Sequence, residues 1–146
     1  MSIPVLLHLS DGIPAEEQSS LEAALDDCNM SRTGLHDARL LSVVASDLDG
    51  QFLGGLHGYT WGGYCEIKTI FIVAAQRRRG LGRQMIEAAE AEAIQRGCEQ
   101  VILSTHGFQA PGFYEGLGYQ CLAQIPDCPR GSSFLLMGKR LDRDCN

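Results

Sequence analysis

The stretch that decides the reading is AAQRRRGLGRQM, Ala74 to Met85. Three consecutive arginines, Arg77, Arg78 and Arg79, run into Gly80-Leu81-Gly82, and Arg83 follows. Upstream, Tyr64–Val73 is rich in β-branched and aromatic residues and predicts a strand. Downstream, Gly80–Arg96 carries Leu81, Met85, Ala88, Ala89 and Ala93 at helical spacing, with Glu87, Glu90 and Glu92 falling elsewhere, and predicts a helix. Glu92 and Arg96 can pair one turn apart, and Gly97 is suited to end the helix. Val101–Ser104, short and apolar on both faces, predicts a buried parallel strand. Strand, helix and strand make a βαβ unit with the basic corner at its first junction.

The first turn of a helix leaves backbone N–H groups without intrahelical partners, and the helix dipole adds partial positive charge there. Glycine lets a ligand approach the backbone closely. A phosphate or diphosphate fits such a corner, and arginines beside it supply charge-assisted hydrogen bonds. A solvated basic turn, with glycines that merely permit helix entry, fits the same residues. Two familiar phosphate motifs are excluded. G-x-x-x-x-G-K-[ST] is absent, and the third glycine position of the dinucleotide fingerprint holds Met85.

Working outward, Leu40–Ser46, Phe52–Tyr59 and Tyr64–Val73 predict an antiparallel meander, turned by DLDG (Asp47–Gly50) and WGG (Trp61–Gly63). Pro4–Leu9 predicts a first strand and Pro14–Asn29 a helix, with Asn29–Asp37 polar and turn-rich. After the βαβ unit, Ala110–Leu117 suits a short helix ending at Gly118. Tyr119–Ile125 and Ser133–Lys139 then suit a closing hairpin. The fold class is α/β with a mixed sheet.

The chain has 146 residues, the size of one domain spanning 1–146. Its net charge of -6 argues against nucleic acid or an anionic membrane as partner, yet four of its twelve basic residues crowd into the quoted corner. No apolar run has membrane-spanning length, and the start has neither a basic n-region nor a small-residue cleavage site, so a cytoplasmic protein is expected. The six cysteines are scattered without C-x-x-C or zinc-like spacing; reduced thiols and no metal are expected.

Strand, then Arg77-Arg78-Arg79-Gly80-Leu81-Gly82, then an amphipathic helix resembles the acetyl-CoA-binding motif of the GNAT N-acetyltransferases. APGFYEGLGYQ (Ala110–Gln120) independently resembles the family's later helix, and the two segments stand in the family's order. The resemblance implies a GNAT-like sheet, mixed and mostly antiparallel, flanked by helices. It also implies acetyl-CoA as cosubstrate, its diphosphate on backbone N–H groups of the bend, with Arg77, Arg78, Arg79, Gly80, Leu81, Gly82 and Arg83 as binding residues. The pantetheine arm would pair with main-chain groups of Ile70 and Ile72, the Ile70 N–H serving as oxyanion donor. Many members carry Asn where this chain has Gly107; His106 and Gln109 flank that position, and Gln109 is the candidate substitute.

Acetyl transfer to an amine also needs a proton for the leaving thiolate and a base for the ammonium. The motif points to Tyr114 for the first. For the second, Glu66 lies four residues before Ile70 on the same strand, hence on the same sheet face, and some members carry a catalytic glutamate there. A packed aromatic and an ion-paired strand carboxylate are the structural alternatives for these two. His57 and His106 are weaker base candidates, and Cys65 and Cys121 lack a His–acid pattern for a nucleophile. The resemblance implies a small-molecule or peptide amine as acceptor and direct attack, and admits a homodimer. A non-catalytic acetyl-CoA-binding regulator on the same fold and a generic nucleotide- or phosphate-binding protein are the competing functions. Asn29–Asp37 lies near the acceptor by fold analogy.

Overall fold

The computed structural model describes residues 1–142. The chain divides into two compact units, Met1–Leu35 and a larger one from His36 onward. The first contains α1, Ala15–Thr33, with Glu16 and Glu17 complementing the helix dipole in its first turn. It runs past the expected end at Asn29 because Met30–Thr33 remains helix-compatible and the stop comes only at Gly34. There φ is 71° and the glycine N–H donates to the Met30 carbonyl at 2.8 Å. Pro4–Leu9 is not a strand: residues 1–10 have no regular structure. The run has a strand's composition but no ladder partner within its own unit, and a lone strand has nothing to satisfy its backbone.

The second unit is a six-stranded sheet in the order β1-β2-β3-β4-β6-β5. The meander is β1 (Arg39–Ser46), β2 (Phe52–Trp61) and β3 (Tyr64–Ile72), antiparallel throughout. A short 3₁₀ turn, Ala74–Gln76, leads into α2, Leu81–Gln95, which returns the chain to β4, Gln100–His106. β4 pairs parallel to β3 and completes the βαβ unit. Then come α3 (Pro111–Glu115) and the hairpin of β5 (Gln120–Pro126) and β6 (Ser133–Arg140), with β6 antiparallel to β4. The sheet is mixed and mostly antiparallel, as the resemblance implies.

α2 buries Met85, Ile86, Ala89 and Ala93 against Leu41, Leu56, Cys65, Ile67, Val101 and Leu103 of the sheet. Its buried face also carries one charge. Glu90 accepts from the Tyr119 hydroxyl at 3.0 Å and from Lys139 Nζ at 2.9 and 3.1 Å, tying α2 to the closing hairpin. Arg96, just past the helix, returns to Glu92 at 2.9 Å and to the Leu40 carbonyl and Thr60 hydroxyl of the sheet.

β3 is broken by a bulge. His57 faces Thr69 and Gly58 faces Ile67, so Lys68 is the extra residue. Gly58 is required there, because a Cβ would run into the backbone carbonyl of Glu66. The bulge inverts side-chain alternation along β3. In β2, Leu56, Gly58 and Thr60 share the buried face, and they stand opposite Ile70, Ile67 and Cys65. Glu66 stands opposite Tyr59 on the other face. The expectation that Glu66 and Ile70 share a face is therefore corrected: they lie on opposite faces, because an unbroken period of two fails across Lys68.

Candidate active site

β3 and β4 pair only from Tyr64↔Gln100 to Ile67↔Leu103. Beyond that point both continue, β3 to Ile72 and β4 to His106, without pairing to each other. The bulge bends β3 away at this level, and a gap opens between two neighbouring strands. The main-chain polarity of its β3 wall follows from one hydrogen bond. Val73 N–H donates to the Leu53 carbonyl on the β2 side. Alternation then turns Phe71 and Thr69 toward β2, and turns the main-chain N–H and C=O of Ile70 and Ile72 into the gap. The β4 wall follows likewise. Gly107 N–H donates to Ser133 on the β6 side, so the main-chain groups of His106 face the gap.

Above the gap sits the basic bend. Gly80 caps α2 at φ 84°, a conformation that costs an L side chain about 1 kcal/mol or more, and Arg78 also has positive φ, 61°. No side chain caps the helix. Gln84 N–H is the first to find a helical acceptor, the Gly80 carbonyl at 3.1 Å. Among the described residues, the main-chain N–H groups of residues 78–83 have no internal partner. A run of free amides with alternating backbone handedness is an anion-binding concavity. Arg78 and Arg79 are exposed beside it with no partner among the described residues. Arg83 is half-committed to Glu87 at 3.5 Å. Arg77 differs: its Nε donates to the Ile72 carbonyl at 3.0 Å and its guanidinium lies over Phe71, so it braces the strand end. Leu81 packs on the core, and Gly82 is buried against Phe113 and Ile72.

Tyr114, on α3, is buried between Phe113 and Tyr119, with ring centroids 5.1 and 6.0 Å away. Tyr119 reaches Glu90 of α2, which puts Tyr114 on the α2 side of the sheet. Burial pushes the Tyr114 phenol above its usual value, and its hydroxyl has no partner among the described residues. It is a protonated donor with a free direction.

Glu66 lies on the opposite face. Tyr59 donates to its Oε2 at 2.6 Å, Lys68 Nζ lies 3.1 Å from its Oε1, and the Tyr59 and Tyr64 hydroxyls are 3.0 Å apart. Burial, then the hydrogen bond to Glu66, pushes the Tyr59 phenol far up, so it stays protonated; its one hydrogen goes to Glu66 and its oxygen accepts from Tyr64. Trp61 packs edge-on against Tyr64. Tyr59, Tyr64 and Lys68 were not read as site residues from the sequence; only the ladder register reveals that they converge on Glu66.

Gln109 does not stand free as a substitute for the missing Asn. Its Oε1 accepts from His106 N–H at 3.0 Å and lies 2.9 Å from His106 Nδ1. Gly107 has a local reason: a Cβ there would sit 2.8 Å from Ser133 Oγ and 3.2 Å from Ser132 Oγ. Both hydroxyls are side-chain ends that can turn aside, so Gly107→Asn is expected to lower stability by no more than about 1 kcal/mol, read as a small fall in Tm. An unchanged Tm would show that the loop yields freely.

The remaining candidates separate. Cys65 is fully buried, and desolvation pushes its thiol up to about 11, so it carries no thiolate at neutral pH. Cys121 is exposed and directs Sγ to the Ala123 carbonyl. Among the described residues all cysteines are free; Cys145 lies outside them. His57 lies on the Glu66 face of β2, opposite Thr69. Asn29–Asp37 is helical as far as Thr33. No helix among the described residues is long and apolar enough to cross a membrane.

Comparison with known proteins agrees with this architecture. The profile described as the acetyltransferase (GNAT) family matches residues 7–119. Blasticidin-S acetyltransferase of Streptomyces morookaense is 34% identical over 145 residues, covering 97% of this chain and 99% of that protein. The crystal structure of an acetyltransferase from Bacillus cereus superposes with a TM-score of 0.78 at 27% identity, covering 92% of this chain and 98% of that one. An aminoglycoside 6'-N-acetyltransferase complexed with coenzyme A shares the fold, with a TM-score of 0.65 at 17% identity over 90% of this chain and 87% of that one.

Proposed function

The chain belongs to the acetyltransferase (GNAT) family and is an N-acetyltransferase, and from that premise we propose that it moves the acetyl group of acetyl-CoA directly onto a small primary amine. The observation that carries the mechanism is the alignment of the partnerless amide bend with a gap whose β3 wall offers main-chain groups. The residues fit coenzyme A on their own chemistry. The bend takes the diphosphate, with Arg78 and Arg79 reinforcing it, Arg83 beside them, and Gly80, Leu81 and Gly82 supplying amides. Arg77 holds the end of β3 in place. The amide groups of the pantetheine arm pair with Ile70 and Ile72 as an added half-strand would, although Arg77 already occupies one lone pair of the Ile72 carbonyl.

The Ile70 N–H then donates to the thioester oxygen as charge develops there, worth roughly 3 kcal/mol in comparable sites. Tyr114 approaches from the α2 face and donates to the departing sulfur. Glu66 approaches from the other face and takes the proton that the acceptor's ammonium must lose before attack. Acid and base on opposite faces of one gap suit a ternary complex, with amine entering on one side and thiol leaving on the other. The Glu66 carboxylate, held by Tyr59 and Lys68, lies beside an aromatic chain that runs from Tyr59 through Tyr64 to Trp61; a cationic amine that displaces Lys68 suits this face, and the blasticidin-S relative supports that class of acceptor.

Tyr114→Phe tests this. It removes one hydroxyl from a buried ring and leaves the packing. With acetyl-CoA and an amine panel, kcat is expected to fall roughly 10²-fold while calorimetric affinity for coenzyme A stays nearly intact. Unchanged turnover would remove Tyr114 from the chemistry. A chain that binds acetyl-CoA but acetylates no amine would favour a binding regulator instead.

A further inference from the structure

Acylating an ammonium takes two protons from one nitrogen. The first leaves before attack, to free the lone pair. The second leaves after the nitrogen has bonded to the carbonyl carbon and become positive. Tyr114 supplies the proton that sulfur gains and is refilled from solvent, while both protons lost by nitrogen pass to solvent through their bases, so the net release is one proton. Glu66, resting on the function proposed above, accounts for the first removal only. We propose that His106 removes the second, and that Gln109 is the positioning residue that makes it competent.

Hydrogen-bond polarity assigns the His106 tautomer. The main-chain N–H of His106 can only donate, and it lies 3.0 Å from the Gln109 side-chain oxygen. That contact fixes which end of the Gln109 amide is oxygen. The same oxygen lies 2.9 Å from His106 Nδ1. An amide oxygen accepts and never donates, so Nδ1 carries the hydrogen. The neutral imidazole is then the Nδ1–H tautomer, with a bare lone pair on Nε2. Nε2 has no partner among the described residues.

Position agrees. His106 ends β4, beyond the last β3–β4 pair, on the wall of the gap that faces Ile70 and Ile72. Register places its side chain on the same face as Glu66. Glu66 pairs with Ile102, two positions from Ser104 and four from His106 along β4. The ring is held between Phe108, stacked at 5.3 Å, and Phe134, edge-on at 5.7 Å. A ring clamped on two sides, with its tautomer set by a third group, is a base prepared in advance. In the step, Nε2 forms a bond to the proton of the acylated nitrogen, the N–H bond breaks, and its electron pair stays on nitrogen as the neutral amide. The imidazolium keeps its Nδ1–H on Gln109 and later yields the new proton to water.

The test combines kinetics with a readout that needs no turnover. Long-range ¹⁵N–¹H spectra of the imidazole in the intact protein should show His106 as the Nδ1–H tautomer; Gln109→Ala should lose that bias, and Gln109→Glu should keep it. Against the best amine of a panel, His106→Gln should lower kcat roughly 10²-fold with coenzyme A affinity unchanged by calorimetry. Gln109→Ala should lower kcat several-fold, and Gln109→Glu should recover most of that loss. An Nε2–H tautomer in the unaltered protein, or full turnover in a folded His106→Gln variant, would overturn the proposal. If the unaltered protein acetylates no amine, the parent reading fails instead, and the base proposal falls with it.

Discussion

Replacing Arg78 and Arg79 together by glutamine should weaken coenzyme A binding roughly a thousandfold. Hydrogen bonds to charged groups contribute about 1.5–3 kcal/mol each, so two of them give about 4 kcal/mol, and each 1.4 kcal/mol is tenfold in Kd. Folding should be untouched, since both side chains are exposed and have no partner among the described residues. The same substitutions should leave affinity for pantetheine, which lacks the diphosphate, nearly unchanged. Calorimetry with both ligands checks the pair of results. A loss of only a few-fold for coenzyme A would mean that the guanidinium groups do not reach the ligand.

The largest stability effect is expected at the other end of α2. Lys139→Met leaves the Glu90 carboxylate buried beside Tyr119 without its countercharge. Breaking one partner out of a buried pair costs about 3–5 kcal/mol. The lower end applies here, since the Lys139 side chain remains 27% exposed and water can reach the site. About 3 kcal/mol corresponds to a drop in Tm of roughly 10 °C for a chain of this size. Adding Glu90→Gln to that variant removes the stranded charge while keeping an acceptor for Tyr119, and should restore most of the loss. A single variant melting like the parent would show that the pair is stabilised by nothing beyond surface attraction.

Glu90 also shows how far sequence reading carries. Helical periodicity placed α2 correctly and set Glu90 apart from the apolar stripe, which is where a solvated acid belongs. The structure instead buries it, because Lys139 and Tyr119 arrive from a hairpin far along the chain, and no local pattern announces such a meeting. The meander, the βαβ unit and the closing hairpin were legible because each rests on local period and turn chemistry. Pro4–Leu9 shows the converse: strand composition does not make a strand without a partner.

The site was legible where it depends on the backbone at the bend and illegible where it depends on register. Gly80 and the arginines announced themselves. The bulge at Lys68 did not, and it alone moves Glu66 to the face opposite Ile70. Gln109 looked like a free side chain for a ligand, whereas its oxygen is consumed by His106, a contact created by the tight turn after β4. Gly107, a departure from the family pattern, lies against the hydroxyls of Ser132 and Ser133 where the chain enters β6, a meeting that no local pattern announces.

The central claim is that free main-chain amides of the bend grip a diphosphate and thereby aim the thioester into the gap between β3 and β4. Amide ¹H–¹⁵N spectra recorded during titration with coenzyme A, and separately with pantetheine, test it directly. The account predicts that the amides of residues 78–83 shift with coenzyme A and stay in place with pantetheine, while those of Ile70 and Ile72 respond to both. Bend amides that ignore coenzyme A while it binds elsewhere on the chain would contradict the account.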